Sequence, residues 1–237
     1  MCNEQQTIHA RPRLQAAIDM LQGSRTVADI GCDHGRLCCA LLQQKACKRC
    51  IAIDVSAFSI EKTRHLAAIS GLDEQIDIRL GDGFQPLQAG EADGAALMGM
   101  GGTLMARLLE ACAVPFCGME RIVFQPMRAA EDIRLWLYEC GCQVTDDRIV
   151  RDAGRLYQIF SIAVSPESAG QVLPAGWPEN FWKLGYTAFE RRDPLLRELA
   201  NAMLLRDEKR LEKLMHPENA AELQHDANCL KSILMQL

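Results

Sequence analysis

The chain has 237 residues, 49% hydrophobic and 24% charged, which excludes global disorder and admits one full domain with an appendage or two small domains. No run of about 18 apolar residues occurs, so no transmembrane helix is expected, and the first residues lack the apolar stretch of a secretory signal. The net charge of −5 argues against a general nucleic-acid coat, yet leaves room for an enzyme that meets RNA through a local basic face.

Leu14, Ile18 and Leu21 recur at helical spacing and predict a helix over 13–22, stopped by Gly23. A strand is expected over 26–30, then a helix over 35–44. A second strand over 50–54 ends in Asp54, and a helix over 57–70 stops at Gly71. Residues 75–80 alternate as a strand, and 93–98 form a fourth. The next helix, 103–112, carries Leu104, Leu108 and Cys112 on one stripe. Strand 121–124 leads to a helix over 129–140 with Ile133, Trp136, Leu137 and Cys140 inward. Strands over 142–150 and 155–164 follow with no helix between them, and so read as an antiparallel pair.

Strands alternating with helices predict an α/β doubly wound, Rossmann-like sheet of five parallel strands. A closing antiparallel hairpin is the usual ending of the methyltransferase version of that sheet. Ser165-Pro166, Gly170, Pro174, Gly176 and Pro178 mark a linker over 165–180, so the first unit spans 1–164. Over 181–237, Leu196, Leu199 and Met203 begin an apolar seam, and His216-Pro217 breaks it. Leu223, Ala227, Leu230, Leu234 and Leu237 then step by 4, 3, 4 and 3. That spacing suggests a coiled-coil-like α-helical hairpin, while a helical lid packed on the sheet fits equally.

Asp29-Ile30-Gly31-Cys32-Asp33-His34-Gly35 follows the first strand. Ligands of such sheets bind at the carboxyl ends of the strands, where glycines let backbone approach closely. The dinucleotide fingerprint is not met, because Asp33 replaces its middle glycine. A pyrophosphate would be repelled there, whereas a cationic sulfonium with an amino-acid tail would not. The loop therefore favours S-adenosylmethionine, with S-adenosylhomocysteine as product. Asp54, with Val55 beside it, lies 23 residues beyond Gly31 and suits ribose hydroxyls. Gly81-Asp82-Gly83 suits an adenine amino group. Met98-Gly99-Met100-Gly101-Gly102-Thr103 would bring backbone groups to the methyl donor.

On these motifs the sequence resembles the bacterial tRNA (adenine-22, N1) methyltransferases. Phe124-Gln125-Pro126, Gly71 to Arg79, Tyr157, Gly185-Tyr186 and Asp193-Pro194-Leu195-Leu196 carry the likeness further. It departs at Arg36-Leu37-Cys38, where an aromatic residue and Leu-Pro are frequent, and at Met127, where Asn is common. The resemblance implies a class I methyltransferase with a helical hairpin that methylates N1 of a D-arm adenine in tRNA. Asp33 and His34 are then the candidate catalytic pair, and Gln125, Pro126 and Tyr157 lie on the substrate side. Arg11, Arg13, Arg148, Arg151, Arg155, Arg191, Arg192 and Arg197 are candidates for phosphate contacts. A small-molecule methyltransferase with the tail as lid is the alternative, and a nicotinamide-dependent oxidoreductase is disfavoured by the missing glycine.

The odd, high count of 11 cysteines points to a reducing, cytoplasmic setting. Cys38-Cys39, Cys47, Cys50, Cys140 and Cys142 read as small core hydrophobes, and no metal is expected. Trp177, Phe181, Trp182 and Tyr186 either stack on bases or bury the tail. No membrane and no obligate protein partner are expected, and the chain reads as a monomer or weak homodimer.

Overall fold

Strands β1 (Thr26–Ile30), β2 (Arg49–Asp54), β3 (Ile76–Leu80), β4 (Gly94–Met100) and β5 (Arg121–Pro126) run parallel in the computed structural model. β6 (Gln143–Asp152) and β7 (Arg155–Ala163) close the sheet antiparallel, giving the order β3-β2-β1-β4-β5-β7-β6. The structure describes residues 6–111, 118–164, 181–213 and 220–237. The expected linker over 165–180, the His216-Pro217 break and Cys112 lie outside them.

β1 and the adjoining stretches of β2, β4 and β5 are buried on both faces, which is why they read as near-continuous apolar runs. Helices α1 (Pro12–Leu21), α2 (Arg36–Gln43) and α3 (Ala57–Ile69) cover one face around Ile18, Leu41, Ile60 and Val123. Pro12 stands at the first position of α1, where its fixed φ and missing N–H cost nothing. Ser56 caps α3 by accepting from the Ser59 backbone N–H at 3.3 Å.

Helices α4 (Gly102–Glu110) and α5 (Ala130–Glu139) cover the other face around Leu97, Phe124 and Phe160. Here two expected stripes are corrected. α4 buries Met105 and Leu109, whereas Leu104 is exposed and Leu108 half-buried. The cause is Gly102: a Cβ there would lie 1.8 Å from the Ala129 carbonyl oxygen, so the close backbone approach fixes the rotation of α4. α5 buries Ile133, Arg134 and Leu137, while Cys140 stands past its end, exposed, and Cys142 is half-buried. Arg134 takes an inner position because Asp147 of β6 pairs with it there.

The tail contributes α6 (Phe181–Leu184), α7 (Tyr186–Glu190), α8 (Leu196–Lys213) and α9 (Ala220–Gln236). Arg197, near the start of α8, donates to the Leu234 carbonyl near the end of α9, so these two helices run antiparallel. Leu184, Ala188, Leu196, Leu230 and Ile233 form a third core that includes Ile149 of β6. The tail is thus docked on the β6 edge of the sheet. Phe181 packs edge-on against Phe189, and Trp182 packs on Tyr138, so these aromatics bury the tail. Arg134 ties the joint together. It donates to Asp147 at 2.9 and 3.0 Å, to Gln158 at 2.7 Å and to the Trp182 carbonyl at 3.0 Å, and it lies over the Phe160 ring.

Candidate functional site

In the strand order, β1 and β4 are neighbours whose following helices, α2 and α4, pack on opposite faces. The divergence of their loops opens a crevice at the carboxyl ends of the strands. A cavity of about 580 Å³ occupies it, lined by Asp29, Gly31, Asp33, His34, Gly99 and Met100 among others. That volume falls within the roughly 300–1,000 Å³ of ligand pockets.

The β1–α2 loop curls over the end of β2. Gly31 and Cys32 N–H groups both donate to the Ile53 carbonyl, at 2.8 and 3.0 Å. Gly31 has φ +77°, and a Cβ there would meet Met100 Cε at 2.9 Å, so glycine meets both the backbone and the space requirement. Gly99 forms a bulge in the β4–β5 pairing, with φ +75°, which turns Met98 and Met100 towards the crevice. Asp33 also has a left-handed φ of +49°, a strained conformation for a residue with a side chain.

The acids differ sharply in setting. Asp29 lies near the carboxyl end of β1, 3% exposed, and its described partner is the Cys38 thiol at 3.6 Å. Burial pushes its carboxyl up to about 7; the thiol opposes this, and the charges of Asp54 and Asp33 add to it. Asp54 accepts from the Asp33 backbone N–H at 3.0 Å and the Ser56 N–H at 2.8 Å. Asp33 is mostly exposed, with Oδ2 2.5 Å from His34 Nδ1. Lys62 Nζ lies 3.1 Å from His34 Nε2. An ammonium only donates, so Nε2 accepts and Nδ1–H points to Asp33. Lys62 was not legible as part of this site, because its link to His34 joins α3 to a loop 28 residues away.

Arginines stand on the rim. Arg11 pairs with Asp152 at 2.8 Å, and both line the cavity together with Arg36. Arg13 lines it too. It donates to Gln125 Oε1 at 3.1 Å and lies 4.9 Å from the centroid of the Tyr157 ring. Gln125 is fully buried, while Pro126 and Tyr157 line a second, smaller pocket. Asp82 is exposed at the end of β3, and Gly81 donates to the Asp54 carbonyl at 3.0 Å. Asp54, Val55, Gly81, Asp82 and Gly83 stand along the same sheet edge but do not line the main cavity; nor do Gly35 and Gly101. Val55 is 66% exposed there.

Three other arginines singled out in the sequence pair with the protein's own acids. Arg148 and Arg191 pair with Asp146, and Arg151 pairs with Glu198. These pairs fasten β6 to its surroundings, and Arg151, Arg191 and Arg192 are all exposed. Cys38, Cys39, Cys47 and Cys50 are buried, with Cys47 Sγ 3.5 Å from Cys50 Sγ. Among the described residues no group of three or more His, Cys, Asp or Glu side chains is placed to share a metal ion.

A crevice with carboxylates inside and a glycine cradle fits a small cationic ligand and would repel a pyrophosphate. This sheet and this site define a Rossmann-like methyltransferase: residues 10–160 match the family described as "Methyltransferase domain", and the chain belongs to it. Within 149 aligned residues it is 36% identical to the tRNA (adenine(22)-N(1))-methyltransferase of Bacillus subtilis (strain 168), a match covering 62% of each chain. The solved B. subtilis M1A22 tRNA methyltransferase TrmK superposes with a TM-score of 0.83 at 24% identity, over 96% of this chain and 100% of that one. A putative tRNA (m1A22) methyltransferase of Streptococcus pneumoniae, in complex with S-adenosyl-L-methionine, gives 0.81 at 24% identity over 94% and 98%. M. capricolum TrmK with S-adenosyl-homocysteine gives 0.79 at 18% identity over 94% and 96%. These structures share the fold across the tail as well as the sheet.

Proposed function

We propose that the chain methylates N1 of adenine 22 in the D-arm of tRNA, using S-adenosylmethionine and releasing S-adenosylhomocysteine, in the cytoplasm. One observation carries it: a single cavity has carboxylates inside and guanidiniums on its rim. Such a site suits two ligands of opposite charge, a cationic methyl donor and an anionic polymer. The name of the B. subtilis relative supports the polymer and the position.

The cofactor supplies an electrophilic methyl group next to a sulfonium. Asp29 would hold its cationic amine, Asp54 the ribose hydroxyls and Asp82 the adenine amino group, with Gly31 and Gly99 giving the backbone room. Adenine N1 already carries a lone pair, so the protein must position it more than deprotonate it. The product base is cationic, and Asp33 would offset the charge that develops on it. His34, oriented by Lys62, fixes Asp33 and faces the base. Arg11, Arg13 and Arg36 would meet the phosphates around it. None of the described tail residues lines the main cavity, which argues against the tail as a lid over a small substrate.

The test is transfer of a tritiated methyl group to a cognate tRNA transcript beside an adenine-22-to-guanine control. We expect label in the first alone. Label in both moves the target, and label in neither, with cofactor bound, returns the small-molecule reading.

A further inference from the structure

A second pocket of about 250 Å³ lies where the loop between β5 and α5, the start of β7 and the helix α8 meet. Arg128, Arg155 and Arg206 line it against a single acid, Glu131. Arg206 turns to Asp207 at 3.3 Å, whereas no described carboxylate lies in ion-pair range of Arg128 or Arg155. The apolar wall is Tyr157, Leu199 and Met203. The volume is below that of pockets that enclose a drug-sized ligand, so it suits one part of a longer molecule. Arg13, which lines the donor cavity, lies 4.9 Å from the centroid of the Tyr157 ring. The two pockets therefore share a wall.

N1 of adenine lies on the Watson–Crick edge, so the base must leave its stack to react. Enzymes that extrude a base also contact its flanking nucleotides. A ring face beside positive charge is the usual way to hold an unstacked nucleotide without reading its sequence. We propose that this pocket holds the nucleotide next to the methylated adenine. Its phosphate lies between Arg128 and Arg155, and its base or sugar lies against Tyr157, Leu199 and Met203. The inference rests on the RNA reading above and adds α8 to the substrate site.

The test is anisotropy of labelled tRNA with the full-length protein, the Arg128→Gln/Arg155→Gln variant and an Arg25→Gln/Arg49→Gln control. The control removes the same charge at the amino ends of the strands. The pocket variant should bind about tenfold more weakly at about 0.1 M salt, with the slope of log affinity against log salt smaller by about 1–2. Its KM for tRNA should rise with kcat within about twofold, and its cofactor affinity by calorimetry should not move. Affinity and slope equal to those of the wild type, or equal to those of the control, overturn the proposal. Wild-type protein that binds the cofactor but labels no tRNA overturns the RNA reading and this one together. Normal wild-type transfer with an unaffected variant overturns this one alone.

Discussion

Asp29 spends most of its side chain inside the sheet, and the proposed function explains why such a costly residue is tolerated. Its carboxyl stands near 7, against an ordinary value of 3.8. The folded state keeps a proton that the unfolded chain gives up between those values. Its stabilising contribution is whole below about 3.8 and is lost as pH rises through about 7. Asp29→Asn should therefore bind no S-adenosylmethionine by calorimetry, yet be more stable than wild type in urea by about 4 kcal/mol at pH 8, a gain that vanishes near pH 4. A variant no more stable at pH 8 would show that the carboxylate already has compensation in the empty protein. Gly31 and Asp33 carry the same theme, since both hold left-handed backbone within one short loop.

At the scale of elements, the buried pair of Arg134 and Asp147 holds α5, β6 and the tail together. Burial raises the Asp147 carboxyl to about 6, working against the neighbouring Arg134 charge. Asp147→Ala leaves that guanidinium buried with no counter-ion, and should cost about 3–5 kcal/mol in equilibrium unfolding. A loss under about 1 kcal/mol would mean that water reaches the joint. Arg191→Gln should cost less than about 1 kcal/mol, because its pairing with Asp146 is half exposed. The strands were legible because β1 and β2 are near-continuous apolar runs ending at Gly31 and Asp54, and β3 alternates before Gly81. The rotation of α4 was not, because it follows from a backbone contact between Gly102 and Ala129. Nor were the links from Arg134 to Asp147 and from Lys62 to His34, which join residues far apart in sequence and carry no spacing signal. The basic clusters were legible only in part for a related reason: composition shows charge but not whether an acid of the same chain already answers it, as at Arg148, Arg151 and Arg191.

For the whole molecule, a net charge of −5 coexists with a rim of arginines, so the RNA affinity proposed above would come from local field and not from bulk charge. Ligand binding should register globally. At a hundredfold excess over Kd, S-adenosylhomocysteine should add about 2.7 kcal/mol of stability. For a chain of 237 residues that raises the Tm by about 5–10 °C, whereas NADH should leave it unchanged. An equal rise with NADH would reopen the oxidoreductase reading. In the proposed site, an incoming ammonium at the buried Asp29 carboxylate would pull its raised proton affinity down, so cofactor capture near pH 7 would release protons into solution. Calorimetric heats should then depend on the ionisation enthalpy of the buffer, and the uptake of the methyl donor becomes an exchange of one cation for another.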